Sequence, residues 1–199
     1  MNRITIAAAG ASAALLAFAA MAQQPQPNPA PFIDWEKVQI KTTDLGHNTY
    51  MLEGQGGNIT VAVGSDGIIM VDSQFAPLHD KIKAAIAKIS PLPVKYLVIT
   101  HFHGDHVGGN AAFHKDGATI VAHDNVRLRM AAGSTNGLTG NRSQVAEADA
   151  IPTQTYLVGR TKVEVGGRVA EVNHVVDAHT DGTTRCCGPW GLNGRLKMW

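Results

Sequence analysis

The chain has 199 residues, 44% of them hydrophobic and 17% charged, with 17 Lys and Arg against 16 Asp and Glu. This is the composition of an ordinary globular protein, and the near-balanced charge excludes the basic surface that nucleic acid or an anionic membrane requires. The two cysteines, Cys186 and Cys187, are neighbours; a bond between them would be strained and one pair builds no disulfide framework.

Residues 1–22 combine a basic start at Arg3, an alanine-rich apolar run from Ile4 to Ala20 and the small-residue ending Ala20-Met21-Ala22. That is the build of a secretory signal peptide cleaved before Gln23. No later stretch stays apolar for the roughly 20 residues a membrane span needs. A soluble, periplasmic or secreted protein is therefore expected, formally neutral once Arg3 is removed, with no membrane partner after cleavage. Residues 23–34, rich in Gln and Pro, read as an extended, poorly ordered linker. One folded domain is expected over 35–184, followed by an aberrant tail over 185–199.

Within the domain, Thr49 to Leu52, Asn58 to Val63 and Ile68 to Val71 read as an antiparallel opening sheet. The glycine-rich Gly54-Gln55-Gly56-Gly57 between the first two is expected to be a mobile hairpin at a rim, since no Lys-Ser or Lys-Thr helix follows to make it a phosphate loop. Leu78, Ile82, Ile86 and Ile89 recur at helical spacing, predicting an amphipathic helix from Pro77 to Ser90 that Pro91 and Pro93 stop. Val94 to Ile99 is a β-branched, buried-strand pattern. A short helix is expected from Val107 to Phe113, a strand from Thr119 to Ala122 and a helix from Asp124 to Met130, the alternation of an α/β fold. Gly133 to Arg142 is polar and reads as a rim loop. Gln154 to Val158, Thr161 to Val165 and Arg168 to Val172 are expected strands, the last two joined by a Gly166-Gly167 hairpin.

The densest chemistry follows the Val94 strand, in Thr100-His101-Phe102-His103-Gly104-Asp105-His106. Side chains alternate along extended backbone, so His101 and His103 face one side and Phe102 the other. Gly104 permits a sharp turn that carries Asp105 and His106 back toward the same cavity. Imidazole nitrogen mixed with carboxylate oxygen suits Zn²⁺ better than Ca²⁺ or Mg²⁺. A polar surface loop with Asp105 as a helix cap is the plainer alternative. His114, His123 and His174 lie off this spacing and read as structural.

The Thr-His-Phe-His-Gly-Asp-His run resembles the signature of the metallo-β-lactamase superfamily, and the resemblance extends from about Thr49 to Thr184 through Gly67 to Asp72 and Ala178-His179-Thr180-Asp181-Gly182. It implies an αββα sandwich and a metal-dependent hydrolase. It matches His179 to the ligand that completes a first metal site with His101 and His103. It offers Asp72 as the carboxylate that accepts a proton from a metal-bound imidazole, beside the alternative of a turn cap. Three histidines leave a fourth position on zinc for a water whose pKa the metal lowers to about 7. Asp105 would orient the resulting metal-bound hydroxide for attack on the acyl carbonyl of a small-molecule substrate, a lactam, an ester or a thioester.

The tail departs from the family pattern. After Asp181 there is no Asp or Glu, and after His179 no His, so the second metal site keeps only Asp105 and His106. One zinc is expected and a second is not firmly held. Cys186 stands too near His179 in sequence to replace the missing ligand. The expectation is a truncated or frameshifted member with an incomplete second half, whose tail forms no strand and whose second sheet exposes an apolar face. A catalytically poor metal-binding remnant and an iron-dependent oxidoreductase of the same superfamily are the alternatives. The sequence sets no oligomeric state.

Overall fold

Ile68-Ile69-Met70-Val71, Leu97-Val98-Ile99 and Ile120-Val121-Ala122 have no polar face, so strands built from them need cover on both sides. The computed structural model of the chain, which describes residues 32–135, 140 and 142–188, supplies it. Among these residues, a seven-stranded sheet runs in chain order from β1 (Lys41–Asp44) through β2 (Thr49–Glu53), β3 (Ile59–Val63), β4 (Ile68–Val71), β5 (Val94–Val98) and β6 (Thr119–His123) to β7 (Gln154–Tyr156). Strands β1 to β4 pair antiparallel, and β4 to β7 pair parallel. Parallel neighbours require crossovers. These hold α1 (His79–Ile89), α2 (Gly104–Val107), α3 (Asn110–Lys115) and α4 (Asp124–Ala132). A second, antiparallel sheet holds β8 (Arg160–Val165), β9 (Arg168–His174) and β10 (Thr184–Cys187), with β9 central.

The two-residue period of the strands sorts the core into two slabs. Ile68, Met70, Leu97, Ile99, Ile120 and Ala122 pack with Ile82 and Ile86 of α1, Phe113 of α3 and Val126 of α4. The intervening Ile69, Val71, Val98 and Val121 pack with Val163, Val165, Ala170, Val172 and Cys186 of the second sheet. The order is helices, sheet, sheet. This is the expected α/β sandwich, and among the described residues no helix lies on the outer face of the small sheet.

Several expectations change. The outer face of the small sheet is polar: Arg160, Lys162, Glu164 and Arg185 are exposed, and Glu171 pairs with Lys162 at 3.0 Å and Arg160 at 3.7 Å. Alternation directs Val163, Val165, Ala170 and Val172 inward, so the described outer face carries mainly charged residues rather than a bare apolar surface. Thr184–Cys187, expected to be structureless, is a strand because its backbone pairs with β9 and Cys186 enters the core. The helix expected from Val107 to Phe113 is two helices broken at Gly108-Gly109. Side chains there would collide with the backbone of Ser73 to Ala76. The first strand, β1, was not anticipated, having no buried residue to mark it. The leader, most of the linker, half of the Gly133 to Arg142 loop and the end of the tail lie outside the described residues.

The two sheets are tied at their hairpins. Gly166 and Gly167 both have positive φ, 50° and 77°, which sets the β8–β9 turn. Gly64, in the β3–β4 turn, lies against it: a Cβ there would overlap the carbonyl of Val165, and the Ser65 N–H donates to Gly166 O at 3.1 Å. Gly64→Ala should therefore destabilise the fold by about 1–3 kcal/mol through overpacking. A lower urea midpoint with an unchanged slope is the expected result.

Candidate metal centre

Strand β5 delivers the first two imidazoles. Its chain continues extended through His103, which adopts φ −69° and ψ 147° immediately before α2. His101 and His103 thus share a side, with ring centroids 4.8 Å apart, while Phe102 packs against the helix-side core. His179 arrives on the loop between β9 and β10. Its ring lies 4.8 Å from that of His101 and 4.6 Å from that of His103, and His179 Nε2 is 2.9 Å from His103 Nδ1. One ligand nitrogen from each of the three rings lies within 4.8 Å of the others.

The loop that carries His179 is fixed on both flanks. Thr184 donates its N–H to Thr100 O at 2.8 Å and its hydroxyl to Ile99 O at 3.2 Å, joining β10 to the end of β5. The Thr180 N–H donates to Thr183 Oγ1 at 2.8 Å. From the other side, Asn125 of α4 donates to Asp181 O at 2.8 Å, and Arg129 of α4 pairs with the Asp181 carboxylate at 2.8 Å. Gly182 is small enough for this docking, since a Cβ would stand 2.8 Å from Val126 N.

Asp72 organises the floor. It follows β4 with φ 63°, an uncommon backbone state for a residue other than glycine, and is 1% exposed. Its carboxylate accepts the Thr100 N–H at 2.8 Å, the Thr100 hydroxyl at 2.7 Å and His106 Nδ1–H at 2.7 Å. Of the two roles left open for Asp72, the structure shows the imidazole-holding one, with a backbone bond to Thr100 added. Because an ionised carboxylate only accepts, it sets the proton of His106 on Nδ1.

The His106 ring lies 4.1 Å from that of His101, with Nε2 3.4 Å from Asp105 Oδ2. The glycine hairpin closes over this pair. A side chain on Gly57 would enter the His106 ring, and one on Gly56 would stand 2.7 Å from Asp105 Cβ. Gln74 Nε2 donates to Gly57 O at 2.6 Å, so the hairpin expected to be mobile is hydrogen-bonded to the floor.

Burial, and then the neighbouring His106, His103 and His179, push His101 down from 6.5 to about 3. Burial and His179 lower His103, with Asp105 opposing. For His106 burial also disfavours the charge, but the hydrogen bond and charge of Asp72 with the charge of Asp105 outweigh it, and its pKa is raised. Converging imidazoles offer nitrogen lone pairs to a common point, so the donor set fits a metal cation. Among the described residues this is the one group of three or more His, Cys, Asp or Glu placed to hold a metal. Asp105 and His106 stand beside it, and among the described residues they form no group of three with another His, Cys, Asp or Glu.

The remaining candidates are structural. His114 Nδ1 meets Ala118 O at 2.9 Å. His123 accepts the Asn125 N–H on Nδ1 at 3.2 Å and donates from Nε2 to Leu157 O at 2.8 Å. His174 stacks on His123 at 3.8 Å and meets Asp181 O at 3.0 Å. Cys186 lies in the core between the sheets, its thiol pushed up to about 12 by burial and by the charges of Cys187 and Asp72, which makes it a poor source of thiolate. Sequence reasoning missed Gly57, Gln74, Asn125, Arg129 and Thr184. Gly57 alone had a visible signal, its place in a glycine cluster.

The sequence model described as the metallo-beta-lactamase superfamily matches residues 43–193. Linear primary-alkylsulfatase of Pseudomonas sp. (strain ATCC 19151) is 43% identical over 49 residues, 24% of this chain and 9% of that protein. The fold is similar to that of BJP-1, a subclass B3 metallo-beta-lactamase of Bradyrhizobium japonicum, with TM-score 0.63 and 22% identity over 75% of this chain and 57% of that one. It is also similar to MEM-A1, a subclass B3 metallo-beta-lactamase from a soil metagenome library, with TM-score 0.65 and 19% identity over 81% and 62% of the two chains. The chain thus spans less than two thirds of the length of each of these proteins.

The pKa directions give a signed pH dependence for chelator-treated protein. His101 is lowered, so between pH 6.5 and about 3 the unfolded state binds a proton that the folded state does not, and stability falls as pH falls. His106, raised, acts oppositely: its contribution is complete below pH 6.5 and is lost as pH rises through its folded value. His101→Gln removes the first effect. The variant's urea midpoint, relative to the parent's, should rise progressively as pH drops from 6.5 toward 3.

Proposed function

The chain belongs to the metallo-beta-lactamase superfamily, and from that premise we propose that it is a zinc-dependent hydrolase acting on the acyl carbonyl of a small-molecule lactam, ester or thioester. The convergence of His101, His103 and His179 from two separate loops, nitrogens within 4.8 Å, carries the reading. When bound, zinc would supply Lewis-acid polarisation of the carbonyl and acidify a water. His101, His103 and His179 would hold it. Thr184, Asn125 and Arg129 keep the third ring in place by fixing its loop to β5 and α4.

Asp105 is the carboxylate proposed to orient the attacking water and to take up or pass on its proton. Its side chain is 38% exposed beside the buried His106, as an acid that must meet both solvent and substrate should be. His106, with its proton fixed on Nδ1 by Asp72, presents Nε2 on the side of Asp105. These two would be the only protein donors of a second site, so one firmly held zinc is proposed. The leader-like residues 1–22 support export to the periplasm or beyond.

A second reading is hydrolysis of a sulfate ester at the same centre. The 43% identity to linear primary-alkylsulfatase over 49 residues favours it. Parallel assays with 4-nitrophenyl acetate, a β-lactam and 4-nitrophenyl sulfate separate the two by which bond is cleaved.

Metal analysis of purified protein should find about one zinc per chain, the three-histidine site alone being filled. Two zinc ions would refute the weak second site, and iron would move the assignment to the oxidoreductase. His101→Ala should lose both the zinc and all hydrolysis above background, and retained turnover would refute the site.

A further inference from the structure

Strands β5, β6 and β7 are parallel, so their carboxyl ends lie on one edge of the sheet. That edge carries His101 just beyond β5, His123 at the end of β6, and Leu157 and Val158 just beyond β7. With strands about 4.8 Å apart, the β7 end stands about 10 Å from the β5 end. The His174 N–H donates to Gly159 O at 3.0 Å, which brings the end of β9, and Val175-Val176 after it, beside the same segment. Three residues beyond Val176 the chain reaches His179.

The four aliphatic residues here face solvent: Leu157 is 64% exposed, Val158 81%, Val175 37% and Val176 72%. Single exposed apolar residues are ordinary, but two adjacent pairs on segments joined by the hydrogen bond from His174 to Gly159 are not. The rings of His123 and of His174, which immediately precedes Val175, stack at 3.8 Å. Both ring nitrogens of His123 are engaged by the fold, one by the Asn125 N–H and the other by Leu157 O. Four aliphatic side chains offer at most a few hundred Å². A specific protein interface needs about 1,000 Å² or more. One flexible hydrocarbon chain needs far less.

We propose that this rim takes the apolar chain of an amphiphilic substrate, whose polar end is directed to the three imidazoles. The inference deepens the hydrolase reading and rests on it for the word substrate. Leu157, Val158, Val175 and Val176 are then specificity-determining residues: they select chain length and leave the chemistry at the polar head unchanged.

Isothermal titration calorimetry of zinc-loaded protein with acetate, hexanoate and decanoate, all below micellar concentrations, tests this with the head group held constant. Decanoate should bind at least ten-fold more tightly than acetate. The double variant Val158→Asp, Val176→Asp should lose at least ten-fold in decanoate affinity while its zinc content and acetate affinity stay at the parent's values. Equal affinities for acetate and decanoate in the parent, or undiminished decanoate binding in the variant, would overturn the proposal. So would a parent dimer that the substitutions convert to monomer with decanoate binding unchanged, which would make the patch a contact between copies. Turnover of 4-nitrophenyl acetate is measured alongside: its absence counts against the hydrolase reading, while the dependence of binding on chain length still decides the patch.

Discussion

The site depends on a single buried carboxylate. Asp72 takes three donors, the backbone N–H and hydroxyl of Thr100 and Nδ1–H of His106, where the end of β4 meets the end of β5 and the start of α2. Leaving any of those donors unpaired in the interior costs on the order of 1–3 kcal/mol, more where charge is involved. The network therefore fixes how far β5 runs before it releases His101 and where α2 sets His106. The positive φ at Asp72 is tolerated because the surrounding bonds over-determine it.

Much of this was legible in the sequence, for physical reasons. A buried strand followed by His-x-His has one geometry available, so the pairing of His101 with His103 could be read directly. Strands with two apolar faces announced a covered sheet. What could not be read was any contact between residues distant in sequence that have common identities. Arg129 with Asp181, Asn125 with the Asp181 carbonyl and Gln74 with Gly57 leave no periodicity, because each is one ordinary polar residue meeting another. The joining of His179 to the other two rings came from family resemblance, since nothing in its local spacing dictates where its loop returns.

The tail shows the opposite error. Thr184-Arg185-Cys186-Cys187 lacks the look of a strand, yet it pairs with β9 through its backbone and places Thr184 and Cys186 inward. Backbone hydrogen bonds are indifferent to side-chain identity, so a short segment needs only one or two compatible inward residues to extend a sheet. The same alternation gives the small sheet its charged outer surface, with Glu171 bridging Lys162 and Arg160.

The clamp on the third imidazole has a reciprocal side. Asn125 and Arg129 of α4 hold a loop more than fifty positions further along the chain. A ligand that binds only the folded form stabilises whatever it must keep folded. A cation gripped by His179 would thus brace the opening turns of α4 as well, although no residue of that helix touches it, and the helix and the ion would stand or fall as one thermodynamic unit.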